Sequence, residues 1–131
     1  MPERSIDPYA SRSRSVDVLL ERAVAREIAA VEIVDLITDA GATFRSHADK
    51  VNALRRQAGP GWTVAGLLVV RGTVRNRDLV RELRGVIEAR YPASSVAWLA
   101  ALRSPDRPMP EADGMAWTGA RTPGLHPARL R

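Results

Sequence analysis

The hydrophobic positions in the first third of the chain predict a β-hairpin. Residues 30–37 (AVEIVDLI) form an almost continuous apolar run, which is typical of a buried strand. Residues 16–20 alternate as in a strand, although the same segment also matches one face of a helix. We favour the hairpin, in which strands at 16–21 and 28–37 are joined by a polar turn at 22–27.

A helix and a central strand are predicted to follow the hairpin. Apolar residues recur every three or four positions and form one stripe along a helix at 42–58. The stripe consists of Phe44, Ala48, Val51, Leu54 and Ala58. The sequence Gly59-Pro60-Gly61 ends this helix. Residues 63–70 (TVAGLLVV) are apolar on both faces, which predicts a strand covered from both sides.

The second half of the chain contains weaker patterns. A second helix is predicted at 76–90, with Asn76 as its N-cap. The remaining predicted elements are a short helix at 96–102, a loop at 104–114 and a short strand at 115–118.

Together these elements predict an α/β fold with a mixed sheet. The sheet contains the hairpin, a crossover helix, the central strand and covering helices. We expect three parts along the chain: a flexible arm at 1–14, a single α/β domain at 15–118, and a basic tail at 119–131.

Charge and composition narrow the function classes. The formal net charge is +5, the pI is about 10.9, and Lys50 is the only lysine among 20 basic residues. This surplus is compatible with a phosphate-bearing partner and equally with a basic surface that binds no ligand. The absence of cysteine excludes disulfides, thiolate metal sites and a cysteine nucleophile. No apolar run approaches about 18 residues, so we expect a soluble, cytoplasmic protein without a membrane segment.

Two carboxylates in the predicted hairpin are candidate ligands and catalytic groups. On neighbouring antiparallel strands, Asp17 and Glu32 can approach each other and hold Mg²⁺, which prefers oxygen ligands. A metal there can polarise a phosphodiester and activate water. Asp35 has the opposite strand parity and is expected on the other face. The alternative is that Glu32 or Asp35 pairs with an arginine while Asp17 stays at a wet strand edge.

Basic side chains supply two further candidates. Lys50, at the border of the apolar helix stripe beside His47, can reach over the sheet edge to a phosphate or an attacking water; the alternative is a snorkelling border residue. A set of arginines can bind a nucleic-acid backbone, or can form a solvated face offset by acidic neighbours. That set is Arg71, Arg75, Arg77, Arg81 and Arg84. No zinc site, catalytic triad or phosphate loop is recognisable by spacing.

Four stretches of this chain resemble a family of actinobacterial regulators. They are 30–50 (AVEIVDLITDAGATFRSHADK), 64–76 (VAGLLVVRGTVRN), 91–102 (YPASSVAWLAAL) and 108–117. Members of that family carry an N-terminal helix-turn-helix domain of the Xre type before a domain that resembles this chain. The resemblance covers about residues 6–118, and the helix-turn-helix part is absent from the sequence.

The same domain resembles the restriction-endonuclease-like fold. The hallmark of that fold is an Asp on one strand and Glu-x-Lys on the next. Asp17 corresponds to the first acid and Glu32 to the Glu, but Val34 occupies the lysine position. Lys50, on the following helix, lies where some members place a substitute polar residue.

Three hypotheses follow for the function. The first is a non-catalytic regulatory or binding module of a DNA-associated transcription regulator, with a degenerate nuclease-like fold and no cofactor. The second is an Mg²⁺-dependent nuclease that uses Asp17, Glu32 and Lys50. The third is an oligomerisation domain that forms a homodimer.

Overall fold

The computed structural model describes residues 15–119 and 125–128 of the chain. Within these residues a five-stranded sheet is flanked by four helices, so the predicted α/β fold is confirmed. In chain order the elements are β1 (Ser15–Arg22), β2 (Glu27–Val34), α1 (Ala40–Ala58), β3 (Thr63–Arg71), α2 (Val74–Glu82), α3 (Arg84–Arg90), α4 (Ser95–Arg103), β4 (Gly114–Thr118) and β5 (Leu125–Pro127).

The sheet is mixed, and its strands lie in chain order from β1 to β5. β1 and β2 form the predicted antiparallel hairpin, although the turn contains no glycine and Arg26 adopts a φ of 55° there. β2, β3 and β4 are parallel to one another, and β5 returns antiparallel to β4. In this register Asp17 lies opposite Glu32, and Glu32 lies opposite Leu68.

Side chains that alternate along β2 and β3 form a core on each side of the sheet. The α1 side is defined by Ala30, Val34, Leu68 and Val70, which lie in clusters with residues of α1, α2 and α3. The α4 side is defined by Val31, Leu67 and Val69, which lie with Trp98 and Leu99 of α4. Strand β3 is buried on both faces, as its apolar sequence predicts.

A glycine in β3 determines how closely α1 approaches the sheet. A Cβ atom at Gly66 would lie 2.7 Å from Cε1 of His47 and 2.7 Å from Cγ2 of Val51. Both distances are shorter than van der Waals contact, so a larger residue would push α1 away. Gly66 therefore allows the imidazole of His47 to lie directly against the strand.

The predicted second helix is wrong in its start and in its continuity. Thr73, and not Asn76, caps α2: its side chain accepts a hydrogen bond from the Asn76 amide. Leu83 has φ −98° and ψ 18°, which separates α2 from α3. The bend allows Val80 of α2 and Ile87 of α3 to pack into the same core.

Asn76 instead joins the ends of two strands. Its buried amide accepts a hydrogen bond from the backbone N–H of Ile37 at 3.2 Å. It donates to the carbonyl of Asp35 at 3.0 Å and to that of Arg71 at 2.9 Å. One side chain thus satisfies three backbone groups where β2 and β3 end, which a buried backbone requires.

The predicted tail is in part a strand. Residues 125–127 pair with β4, and His126 lies opposite Trp117. Ser95 and the backbone of Ala128 exchange hydrogen bonds at 3.0 and 3.2 Å, which fixes this strand against α4. The predicted arm at 1–14 and the rest of the predicted tail, at 120–124 and 129–131, lie outside the described residues.

Of the helices in the described part of the chain, none has the length and apolar character needed to cross a membrane.

Replacing Asn76 by Ala should destabilise the fold by about 2–4 kcal/mol, because buried backbone groups at two strand ends lose their partners. Urea unfolding followed by circular dichroism measures this change. Asn52→Ala, on the exposed face of α1, is the matched control and should change the stability by less than about 0.5 kcal/mol. Equal effects of the two substitutions would contradict the role given to Asn76.

Candidate functional site

The hairpin places two carboxylates side by side in a buried position. Asp17 of β1 and Glu32 of β2 are direct cross-strand partners, and both are only 4% exposed. Both side chains lie on the α1 side of the sheet, where Lys50 of α1 contacts them. Like charges directly opposite each other destabilise a strand pair. This arrangement therefore requires a cation or a proton to stabilise it.

Lys50 supplies that cation from α1. Its Nζ lies 2.5 Å from Oδ2 of Asp17 and 3.1 Å from Oε1 of Glu32, so one ammonium bridges both acids. The lysine side chain is 27% exposed and reaches inward from the protein surface. The three residues that the sequence singles out as catalytic candidates thus converge at one point. We call Asp17, Glu32 and Lys50 the acid–lysine triad.

The contacts within the triad, together with burial, change the pKa values of Glu32 and Lys50. Burial raises the pKa of Glu32 above 4.5, and Asp17 acts in the same direction, against the lowering effect of Lys50. Burial alone would lower the pKa of Lys50, but its hydrogen bonds and attraction to Asp17 and Glu32 outweigh burial, and the pKa is raised above 10.5. Lys50 is therefore an ammonium at neutral pH.

One oxygen of the triad has no hydrogen-bond partner among the described residues. Oδ1 of Asp17 is buried and unpaired, whereas Oδ2 contacts Lys50. A buried carboxylate oxygen without a partner is costly, and hard cations such as Mg²⁺ prefer such oxygens. Asp17 and Glu32 are thus suited to hold Mg²⁺. Within the described residues no group of three His, Cys, Asp or Glu side chains forms a larger metal site.

Asp35 and Val34, which also lie in or just after β2, do not belong to the triad. Asp35 is exposed, and its Oδ1 lies 2.8 Å from Nη1 of Arg71, outside the triad. This pair matches one part of the alternative, in which Asp35 binds an arginine. The other part, Asp17 at a wet strand edge, is wrong, because Asp17 is buried and paired with Lys50. Val34, in the lysine position of the motif, is buried in the core beside Phe44 and Leu68.

His47 and Tyr91 lie next to the triad. The sequence pattern placed His47 beside the apolar stripe of its helix and gave no role to Tyr91. The His47 ring is buried one helical turn before Lys50 and contacts the hydroxyl of Tyr91. Tyr91 follows α3 and is 44 residues away in the sequence. No local pattern connects the two residues, because only the packing of α1 and α3 on one side of the sheet brings them together.

The predicted arginine set lies on exposed positions of β3, α2 and α3. Arg71 pairs with Asp35, and Arg81 pairs with Asp78 at 3.2 Å, which are both exposed ion pairs. The guanidinium of Arg77 lies 4.7 Å from the ring centroid of Trp117. Exposed pairs of this kind contribute little to stability, so these side chains can exchange partners with a phosphate.

A third buried acid, Glu27, lies on the other side of the sheet, and sequence reasoning missed it. Oε1 of Glu27 is 3.6 Å from Arg22, and its Oε2 accepts a hydrogen bond from the Met109 amide at 2.8 Å. Arg22 also donates to carbonyls at and beyond the end of α4, namely those of Ala101, Ser104 and Arg107. Beside this cluster is a largely apolar cavity of about 230 Å³, lined in part by Leu20 and Arg22. These contacts join the hairpin to α4.

Comparisons of this chain with protein-family models, with curated proteins and with solved structures give no match. The candidate function therefore depends on the geometry of the site.

Replacing Lys50 by Met should lower the free energy of unfolding by about 3 kcal/mol, because two buried carboxylates lose their counter-ion. In the background of Asp17→Asn the same substitution should have a smaller effect, since one of the two charges is already absent. Urea unfolding of the four proteins in this double-mutant cycle measures the coupling. Additive effects would show that Lys50 and Asp17 do not interact.

The stabilisation by Lys50 should disappear at high pH. Because its pKa is raised in the folded protein, the folded state binds this proton more tightly than the unfolded chain, whose pKa is near 10.5. The contribution is fully present below that pH and is lost as the pH rises through the folded-state pKa. The stability difference between the wild type and Lys50→Met should therefore be constant up to about pH 9.5 and narrow as the pH rises from 10.5 upward. A difference that stays constant above pH 10.5 would contradict the ion pairing.

Proposed function

We propose that this domain is an Mg²⁺-dependent phosphodiesterase that cleaves nucleic acid. The observation that carries the proposal is the contact of one ammonium, on Lys50, with both cross-strand carboxylates, Asp17 and Glu32. Buried ion groups of this kind are seldom retained for stability alone, and clusters of perturbed pKa values are typical of functional sites. Two acids and a lysine are also the residue types that the nuclease hallmark requires.

In this proposal Asp17 and Glu32 would hold Mg²⁺, and the bound ion would supply polarisation of the phosphodiester and activation of water. Lys50 acts as a cation and hydrogen-bond donor, because its raised pKa keeps it protonated at neutral pH. It stabilises negative charge on the phosphate oxygens and does not remove a proton from water. Its long side chain can leave the carboxylates and still reach a phosphate bound above them.

The geometry also accounts for the departure from the hallmark at Val34. In the Glu-x-Lys pattern the lysine lies two residues after the glutamate, on the same face of the strand. Here that position is filled by a core valine, and the ammonium arrives at Glu32 from α1 instead. Lys50 is thus a substitute for the missing strand lysine, as the resemblance implies.

The arginine set supports nucleic acid as the substrate class. The five side chains are exposed, and arginine binds phosphate oxygens without reading the base sequence. We propose that these arginines bind the backbone of DNA, as expected for a cytoplasmic regulator that associates with DNA. No base preference follows from such contacts.

A second candidate is a non-catalytic binding module of a transcription regulator. It is favoured by the burial of both carboxylates, which Lys50 covers in this structure. In this case the acid–lysine triad would join β1 to α1, and the arginine set would bind DNA without cleavage. The homodimer of the third hypothesis stays a prediction that sedimentation can test.

The cleavage proposal predicts that plasmid DNA is cut in Mg²⁺ and not in EDTA. Asp17→Asn and Glu32→Gln should reduce cutting to the EDTA level, and Lys50→Met should reduce the rate about 100-fold or more. Asp106→Asn, which makes the same change at an exposed acid in the segment after α4, away from the triad and the arginine set, is the matched control and should cut like the wild type. Each variant is first shown to be folded by circular dichroism.

The two candidates differ in their outcomes. DNA that is bound at low salt but never cut favours the non-catalytic module, because phosphate contacts are strongest there. Cutting that survives in both Asp17→Asn and Glu32→Gln would show that the triad is not the active site.

A further inference from the structure

The buried imidazole of His47 is the feature next to the triad that the proposed reaction does not use. His47 is 1% exposed and lies three residues before Lys50 on α1. Its Nε2 is 2.9 Å from the carbonyl oxygen of Ala30, and its Nδ1 is 3.1 Å from the hydroxyl of Tyr91. Both ring nitrogens are therefore hydrogen-bonded inside the core.

These partners determine the proton positions on the ring. A carbonyl oxygen only accepts, so Nε2 of His47 carries the hydrogen and donates to Ala30. Burial lowers the pKa of His47, which favours the neutral ring, and Nδ1 then accepts from the Tyr91 hydroxyl. The imidazole is thus a fixed link with one donor and one acceptor.

The ring has little freedom to move. Its plane is 20° from that of Tyr91, with the ring centroids 5.8 Å apart, and Phe44 packs edge-on against Tyr91. On the strand side, a Cβ at Gly66 would lie 2.7 Å from the His47 ring. The sheet and the aromatic pair therefore hold the imidazole from opposite directions.

The two residues joined by this hydrogen bond, His47 of α1 and Ala30 of β2, each lie close in sequence to a member of the triad. Ala30 precedes Glu32 by two residues on β2, so both positions are on the same face of the strand. His47 precedes Lys50 by three residues on α1, so both lie on neighbouring turns of one helix face. The hydrogen bond from His47 to Ala30 therefore fixes α1 against β2 beside the place where Lys50 reaches Glu32.

We infer that His47 is a positioning residue for Lys50. Its bond to Ala30 sets the position of α1 along β2, and this allows the Lys50 ammonium to contact Asp17 and Glu32 together. An apolar residue of similar size would fill the space but would remove this hydrogen bond between α1 and β2. Only the effect of His47 on catalysis rests on the proposed function, since the positioning of Lys50 is a property of the free protein.

The single lysine of the chain makes a direct test possible. Labelling with ¹⁵N-lysine gives one side-chain ammonium, that of Lys50, in the metal-free 131-residue protein. An ammonium bound between carboxylates exchanges its protons slowly and gives an NMR signal, whereas a solvated ammonium exchanges too quickly to be seen. The signal therefore reports the pairing of Lys50 without metal or nucleic acid.

Two polar substitutions separate positioning from general packing. His47→Gln places an amide N–H where Nε2 lies and can still donate to Ala30, so the Lys50 signal should be retained. His47→Asn places its amide where Nδ1 lies and loses the bond to Ala30, so the signal should be lost. His47→Leu, where it folds, should also lose the signal. Circular dichroism and thermal unfolding establish which variants are folded.

The results are decisive in each case. Equal signals from folded His47→Gln and His47→Asn would overturn the inference, as would an unchanged signal in folded His47→Leu. If either amide variant fails to fold, the wild type decides: ¹⁵N NMR of the His47 ring gives its tautomer, and a neutral ring with its hydrogen on Nδ1 would overturn the inference, because Nε2 could not then donate to Ala30. The plasmid assay is run separately, so a protein that shows the expected signals but no cleavage refutes the proposed function and leaves the positioning role in place.

Discussion

The structure depends on one electrostatic constraint: two acids face each other across a buried pair of strands. Asp17 and Glu32 lie where water is scarce, and their mutual repulsion opposes the pairing of β1 with β2. The ammonium of Lys50 turns this repulsion into attraction, provided that α1 lies at the correct height above the sheet. Gly66 and His47 bring α1 to that height. The repulsion between the two acids of the hairpin is therefore relieved only when α1 is held in this position.

This constraint separates the two sides of the sheet by chemistry. On the α1 side a lysine, two acids and a histidine lie within one continuous region. On the α4 side Arg22 and Glu27 form hydrogen bonds with backbone atoms of the segment at 101–109. The remainder of the core there is apolar. The charged residues of the candidate site are thus on the α1 side, while the α4 side joins the hairpin to the rest of the fold.

Local patterns predicted much of the fold and the membership of the site. The apolar runs of β2 and β3 and the stripe of α1 each arise from residues close in sequence, and the structure contains them with small changes at their ends. Asp17, Glu32 and Lys50 were chosen by residue type, but their meeting depends on strand register and on helix packing. Asn76 illustrates the limit: asparagine favours N-caps, yet Thr73 takes that role. The Asn76 amide instead binds the end of β3, five residues away, and the end of β2, about 40 residues away. The partnership of His47 with Tyr91 is equally remote in sequence.

The same charge arrangement has a consequence for the order of folding. A hairpin of β1 and β2 alone would place two carboxylates together with no cation, and would be unfavourable at neutral pH. The parallel pairing of β2 with β3 requires α1 as the connection between them, so α1 is already near the sheet when that pair forms. Strand β1 can then close over a lysine that is in place. The pairing of β1 with β2 is therefore most favourable once α1 has brought Lys50 to the sheet.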